Sequence, residues 1–203
     1  MPKPVLDFWF DFASVYSFLS ATRIAPLADA AGVQVRWRPF LLGPIFATQG
    51  MTDSPFNLFP LRGRHMIHDV KRSADEIGVG FKWPDVFPQS AVLASRIALV
   101  GLKDTSRKPW GEDFSRAVFH AEYAENRVIS EPGVIADILT KLKVPVDATF
   151  ASAQADEIKT ELREQTAEAQ RREFFGAPTF TTQDGELFWG NDRLEQALRW
   201  ATK

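Results

Sequence analysis

The segment FDFASVYSFL, residues 10–19, places the Ser14 hydroxyl where an apolar strand is expected to run into a helix. Serine at such a junction is typical of a helix N-cap, which is the simplest interpretation. The same position also suits an anion such as a thiolate, because free N–H groups and the helix dipole concentrate positive potential there. A hydroxyl adds one donated hydrogen bond. Ser17 is the competing hydroxyl, but it lies one turn deeper in the predicted helix.

The chain has no cysteine, and this absence gives the Ser14 position a specific meaning. Disulfides, thiolate metal sites and a nucleophilic thiol of the protein itself are excluded. A thiolate at Ser14 would therefore have to belong to a bound thiol. The three histidines lack the spacing and the partners of a metal site, so no metal is predicted.

The segment GAPTF, residues 176–180, offers a second binding element. Pro178 opens a predicted strand, and a trans proline at a sheet edge is the simplest interpretation. A cis Ala177–Pro178 bond is the alternative. It would leave the backbone N–H and C=O of Ala177 free to pair with an extended peptide ligand.

The segment WGNDRL, residues 189–194, precedes the last predicted helix. Asn191 or Asp192 can cap that helix, which is the default explanation. The helix start would also suit a ligand carboxylate, and Asp192 could accept from a ligand ammonium. Together these roles suit the head group of an amino acid, which carries both charges.

Residues 43–60 are rich in Pro, Gly, Ser and Thr and predict a long loop, which is uncommon unless functional. Asn57 in this loop and Arg62 just after it are either solvated or in contact with a ligand's amide and carboxylate. The aromatic residues Phe46, Phe56 and Phe87 favour core packing by residue type. Placed beside Ser14, they would instead form a pocket for a flat apolar substrate.

Composition narrows the function classes. The chain has 203 residues, 45% of them hydrophobic, and a formal net charge of −2, so neither nucleic acid nor an anionic membrane is an expected partner. The N-terminus has acidic residues within its apolar run and lacks a cleavage-site pattern, so no signal peptide is predicted. No apolar stretch reaches the length of a membrane span. The expected location is the cytoplasm.

The order of predicted elements indicates an α/β fold. A strand at 5–10, a helix at 16–31 and a strand at 33–40 form a βαβ unit with parallel strands. Helical patterns follow at 62–77, 90–103, 112–125, 131–142 and 156–174, and the chain ends with strands at 178–182 and 187–189 and a helix at 192–201. We therefore expect one discontinuous α/β domain, residues 1–44 and 170–203, with residues 45–169 as an all-helical insertion.

Four segments together resemble the 2-hydroxychromene-2-carboxylate isomerase family. FDFASVYSFL is similar to the family's FDFxSPYSYL, GAPTF to GVPTF, FWGNDRL to FWGxDRL, and SPFNLFPLRGRHM to SPFNxYPAKGRYM. These isomerases are kin of kappa-class glutathione transferases and of disulfide oxidoreductases. The resemblance implies a thioredoxin-like domain with a helical insertion, glutathione as cofactor and, from kin alone, a homodimer.

The resemblance also implies site residues. Ser14 would take the catalytic position beside the glutathione sulfur, and Ala177 with Pro178 would hold the cysteinyl backbone. Arg62 falls where relatives carry a lysine. The γ-glutamyl end would be held by Trp189, Gly190, Asn191 and Asp192, and the small aromatic carboxylate substrate would lie near Phe46, Phe56, Asn57 and Phe87.

Two positions depart from the family pattern. Val15 replaces the usual proline, and Ala47 stands where many members carry a lysine that can meet the substrate carboxylate. The implied reaction is cis–trans isomerisation of 2-hydroxychromene-2-carboxylate to trans-o-hydroxybenzylidenepyruvate. The alternatives are a kappa-type glutathione transferase or peroxidase and a non-enzymatic thioredoxin-like protein that binds thiols or peptides.

Overall fold

The computed structural model describes residues 2–105 and 110–203. Strands come from the two ends of the chain, and the intervening segment is helical. In chain order the elements are β1 (Val5–Phe10), α1 (Val15–Ala31), β2 (Gln34–Pro39), α2 (Leu42–Thr48), α3 (Pro55–Leu58), α4 (Pro60–Ile77), α5 (Val92–Lys103), α6 (Gly111–Tyr123), α7 (Pro132–Lys141), α8 (Val146–Gln154), α9 (Asp156–Arg171), β3 (Thr179–Thr182), β4 (Leu187–Trp189), a 3-10 turn (Asn191–Arg193) and α10 (Leu194–Ala201).

The four strands form one mixed sheet in the order β2-β1-β3-β4. β1 pairs in parallel with β2, and Phe8 lies opposite Trp37. On its other side β1 pairs antiparallel with β3, where Phe8 lies opposite Phe180, and β3 pairs antiparallel with β4. This topology confirms the predicted thioredoxin-like α/β fold with helices between its two halves.

Alternation along β1 divides the core between the two faces of the sheet. Phe8 and Phe10 are buried on the face that also packs α1, α6 and α10, and their rings stack at 5.2 Å between centroids. Trp9 points to the opposite face and packs edge-on against Phe174, which follows α9. Because β1 is buried on both faces, it is a rigid base for the loop that follows it.

Helix α1 has clear stop and start signals. Gly32 ends it in the left-handed conformation, with φ of 67°, and its N–H bonds back to the carbonyls of Ala28 and Asp29. At the other end the Ser14 side chain accepts from the N–H of Ser17, which satisfies one free donor of the first turn. The predicted cap at Ser14 is therefore confirmed.

The prediction of a continuous loop over residues 43–60 is wrong, because α2 and α3 lie within it. The start of α2 is held by a distant side chain, since the Asp11 carboxylate accepts from the N–H of Leu42 at 2.6 Å. The start of α3 is stabilised by neighbouring residues, because Ser54 caps it and Pro55 lies in its first turn. Helix α8 was also missed, because its nine residues bury only Thr149 and Ala153.

No helix among the described residues has the length and apolar character that crossing a membrane requires.

Candidate active site

The Ser14 side chain lies at the centre of the site and makes two hydrogen bonds. Its Oγ accepts from the N–H of Ser17 at 3.1 Å and donates to the carbonyl of Ala177 at 2.9 Å. The residue is 8% exposed, so its hydroxyl is accessible only from one side. The hydrogen bonds of the Ser14 side chain therefore connect the N-terminus of α1 to the segment before β3.

Ala177 presents backbone groups to the same place. The Ala177–Pro178 peptide bond is cis, which resolves the alternative left open by the sequence. Its carbonyl accepts from Ser14, whereas its N–H has no hydrogen-bond partner among the described residues. This unpaired backbone N–H, beside a capped helix start, is suited to donate a hydrogen bond to a ligand carbonyl.

A cavity of about 1270 Å³ opens directly beside these groups. Its walls come from the loop after β1, from α2, from the start of α4 and from the segment before β3. Its volume exceeds the roughly 300–1000 Å³ of ordinary small-molecule sites, so it has room for two ligands together. The predicted site residues that line it are Ser14, Phe46, Phe56, Arg62, Ala177 and Trp189.

Trp189 forms one side of the cavity mouth. Its ring lies 4.8 Å from that of Phe175, and both side chains are about half exposed. Gly176 is required beside it, because a Cβ at that position would lie only 2.4 Å from Trp189 Nε1. The indole therefore packs directly on the backbone that precedes Ala177.

The residues that follow Trp189 support this wall without lining the cavity. Gly190, with φ of 110°, donates its N–H to the carbonyl of Pro178 at 3.0 Å. The predicted caps at Asn191 and Asp192 are wrong, because no side chain caps α10 or the preceding 3-10 turn. Asn191 Oδ1 instead accepts from Ser20 on α1 at 3.0 Å, while Asp192 is exposed.

Helix α4 supplies the cation at the mouth. Arg62 lies in its first turn, and its guanidinium sits 4.8 Å from the centre of the Phe59 ring. His65 and Met66 also line the cavity, at the helical spacing that keeps one face toward it. This wall therefore combines one permanent positive charge with apolar and aromatic surface.

Two of the predicted substrate contacts point elsewhere. The Asn57 amide donates to Asp53 Oδ2 at 3.1 Å and lies outside the cavity wall. Phe87 packs against Trp83 at 4.7 Å between ring centroids, and its neighbour Pro88 lines the cavity instead. Both residues lie close to the site in the chain, but local pairing directs their side chains away from it.

Sequence reasoning missed Tyr16 and Asp11, which also line the cavity. The Tyr16 hydroxyl donates to Asp69 Oδ2 at 2.8 Å, and burial together with this carboxylate raises the pKa of Tyr16. Asp11 is 3% exposed, and burial raises the pKa of its carboxyl to about 6 although two N–H donors oppose the shift. The signal for Asp11 was its place three residues before Ser14, inside an otherwise apolar strand end.

Comparison with known proteins agrees with this architecture. The chain is 27% identical to glutathione S-transferase kappa 2 of Caenorhabditis elegans over 96% of this chain and 90% of that protein. It is 28% identical to the 2-hydroxychromene-2-carboxylate isomerase of Pseudomonas putida over 94% of this chain and 90% of that protein. A solved structure of a 2-hydroxychromene-2-carboxylate isomerase superposes with a TM-score of 0.83 at 23% identity, covering 95% of this chain and 91% of the other.

The recognition made from the four sequence segments is thereby confirmed, since the isomerases are among the matched relatives. The family model described as the DSBA-like thioredoxin domain matches residues 5–199, which is nearly the whole chain. The protein therefore belongs to the family of the DSBA-like thioredoxin domain.

Proposed function

We propose that the protein is a glutathione-dependent cis–trans isomerase of an aromatic ring-fission product. The implied reaction interconverts 2-hydroxychromene-2-carboxylate and trans-o-hydroxybenzylidenepyruvate, and the implied setting is the cytoplasm. The observation that carries the proposal is the pairing of Ser14 Oγ with the Ala177 carbonyl beside a large aromatic-lined cavity. The sequence similarity to one relative named as an isomerase and to another named as a glutathione S-transferase supports the proposal.

The chain's own residues fit a bound glutathione. The unpaired N–H of Ala177 is a donor for a backbone carbonyl of the tripeptide, and the Ala177 carbonyl is an acceptor for its N–H. Arg62 provides a cation for a carboxylate. Trp189 provides an apolar wall between these groups and the solvent. A peptide with charged ends and an extended backbone matches this donor set.

Ser14 would change partners when the ligand binds. In the ligand-free protein its hydroxyl proton is held by the Ala177 carbonyl. A peptide N–H that donates to this carbonyl would release the Ser14 hydroxyl, which could then donate to a thiolate. The N–H of Ser17 would continue to orient Oγ. The serine and the N-terminus of α1 would thus stabilise negative charge only when the ligand is in place.

Bound glutathione would supply a thiolate nucleophile for reversible addition to the conjugated carbon of the ring-opened substrate. Phe46 and Phe56 would hold the flat substrate against this nucleophile. The buried floor formed by the loop after β1 would exclude water from the reacting atoms.

Measuring isomerisation with and without glutathione tests the proposal. We expect the rate to depend on glutathione and the concentration of free thiol to stay constant during turnover. Equal rates without glutathione would falsify the mechanism.

A kappa-type glutathione transferase is the second candidate, because the transferase relative is as similar to this chain as the isomerase. It would use the same Ser14 and Ala177 groups but would form a stable thioether with an electrophile. Counting free thiol separates the two, since a transferase consumes one thiol per turnover. Binding of glutathione with neither activity would favour a non-enzymatic binding protein.

A further inference from the structure

Ionisation of a bound thiol at Ser14 releases a proton, and this proton requires an acceptor. Because Ser14 and Asp11, which line the cavity, are only 8% and 3% exposed, a group of the protein near Ser14 is a more direct acceptor than bulk water. The titratable side chains that line the cavity among the described residues are Asp11, Tyr16, Asp53, Arg62 and His65.

Most of these groups are unsuited to take up the proton. Tyr16 already holds its own proton, which it donates to Asp69. Arg62 is a permanent cation. Asp53 and His65 are exposed at the mouth, away from the buried floor. Asp11 remains, three residues before Ser14, and the carbonyl of Asp11 accepts from the N–H of Ser14 at 3.0 Å.

The carboxylate of Asp11 is held by backbone donors alone. Oδ1 accepts from the N–H of Ala13 at 3.0 Å and Oδ2 accepts from the N–H of Leu42 at 2.6 Å. Among the described residues no cation pairs with it. Its negative charge is therefore stabilised less than that of a salt-bridged carboxylate, and a second lone pair on each oxygen remains available for a proton.

Helix α6 adds a second buried acid behind Asp11. Glu122 is fully buried, and neither of its carboxyl oxygens has a hydrogen-bond partner in the described part of the chain. The adjacent Tyr123 hydroxyl donates instead to the carbonyl of Phe12 at 2.8 Å. Burial and the charge of Asp11 raise the pKa of Glu122 well above its ordinary value, and Glu122 does not line the cavity, so Asp11 is the acid that faces the thiol.

We propose that Asp11 takes up the proton that the thiol of bound glutathione gives up at Ser14. The S–H bond breaks, an O–H bond forms on the Asp11 carboxyl, and the net charge of the cavity stays the same. A thiolate placed in the same cavity favours this transfer, because a second negative charge raises the proton affinity of the first. This inference rests on the proposed binding of glutathione.

The number of protons released on binding tests this assignment. Calorimetric titration of the full chain with glutathione, in buffers of different ionisation enthalpy, gives that number, and ultraviolet absorbance reports the thiolate. At pH 7 we expect thiolate formation with almost no proton released. Burial raises the pKa of Asp11 to about 6, so its protonated fraction grows as the pH falls below that value, and release should rise toward one proton per thiolate formed.

Variants provide the matched comparison. Asp11→Asn should release about one proton per thiolate formed at pH 7, because the acceptor is gone. Asp53→Asn removes the exposed carboxylate at the mouth and should behave as wild type. The wild-type pH series does not depend on either variant folding, and circular dichroism checks the fold of both.

The outcomes separate this assignment from the proposed function. Thiolate formation with one proton released by the wild type at pH 7 would overturn the role of Asp11 and leave glutathione binding intact. If Asp11→Asn released as few protons at pH 7 as the wild type, the role of Asp11 would likewise be overturned. Absence of glutathione binding would overturn both.

Discussion

The Ser14 hydroxyl donates a hydrogen bond of 2.9 Å to the backbone carbonyl of Ala177, which lies 163 positions further along the chain. This bond joins the N-terminus of α1 to the segment before β3, the two parts of the site that come from opposite ends of the sequence. The N–H of Ala177 stays unpaired among the described residues. The same carbonyl that holds the serine proton in the free protein is thus the acceptor that a peptide ligand would use.

Ser14→Ala is expected to lower the isomerisation rate roughly 100- to 1000-fold, the usual cost of losing one preorganised donor to a developing or bound anion. It should also lower the free energy of unfolding by about 1 kcal/mol, because α1 loses its N-cap. Glutathione-dependent turnover and urea denaturation measure the two effects separately.

The control for this change is Ser17→Ala. The Ser17 hydroxyl is buried and has no hydrogen-bond partner among the described residues, while its backbone N–H bonds Ser14 regardless of side chain. We expect activity close to wild type and no loss of stability, since an unpaired buried hydroxyl is removed. A loss as large as that of Ser14→Ala would move the catalytic hydroxyl to Ser17.

Gly176→Ala is expected to weaken glutathione binding. The added Cβ would lie 2.4 Å from Trp189 Nε1, so the indole must move from the backbone that precedes Ala177. Overpacking of this kind costs about 1–3 kcal/mol of stability. The dissociation constant for glutathione, measured by calorimetry, should rise while the chain stays folded.

Gly133→Ala is the matched control, because a Cβ there meets no atom within 4 Å and Gly133 lies in the first turn of α7. Its affinity for glutathione should equal that of the wild type. Equal affinity in both glycine variants would show that the Trp189 wall does not contribute to binding.

Elements with local signals could be predicted from the sequence, and elements held by distant contacts could not. β1 is predicted because it is a short, aromatic-rich apolar run that only Asp7 interrupts, and α1 because Ser14 and Gly32 mark its two ends. The start of α2 depends on the Asp11 carboxylate, 31 residues earlier, which no local pattern reveals. A loop was therefore predicted where a helix forms.

The same distinction holds for the site. Ser14, Ala177 and Trp189 lie at element boundaries, where strand and helix signals mark them, and the family resemblance implied that they share one site; all three line the same cavity. Asn57 and Phe87 lie in irregular segments, where a neighbouring carboxylate or aromatic ring decides the direction of the side chain. Residue type alone does not predict that direction.

Asp11 should make stability depend on pH between about 4 and 6. Burial raises the pKa of its carboxyl from 3.8 to about 6, so the protonated form is favoured by folding. Its contribution is therefore present below pH 4 and is lost as the pH rises through 6, by up to about 3 kcal/mol. We expect the difference in unfolding free energy between Asp11→Asn and the wild type to shift by this amount in favour of the variant from pH 4 to pH 7.

The diagnostic quantity is the change of this free-energy difference with pH. The absolute difference is not diagnostic, because the altered bonds to Ala13 and Leu42 add an offset that does not depend on pH. Urea denaturation at several pH values measures the change. A constant difference for Asp11→Asn would contradict burial as the cause of the raised pKa.

Apolar side chains at the cavity mouth should increase affinity for the aromatic substrate. Leu61 is 75% exposed and lines the cavity, where its side chain can contact a bound aromatic substrate. Leu61→Ser should raise the KM for the aromatic substrate roughly 3- to 10-fold, because apolar contact area is lost. Leu58→Ser, also at an exposed leucine but outside the cavity wall, should leave KM unchanged.

Ala47 gives a test of the substrate's charge. It lies on α2, exposed and in the cavity wall, at a position where the family resemblance implies a lysine in many members. If the substrate is a carboxylate, Ala47→Lys should raise kcat/KM roughly 2- to 5-fold, because a new cation faces the anionic group at a partly solvated site. The gain should shrink at high salt, since screening weakens exposed charge pairs. A neutral ester of the same substrate is the control and should show no gain. Equal gains for acid and ester would contradict recognition of the carboxylate at this wall.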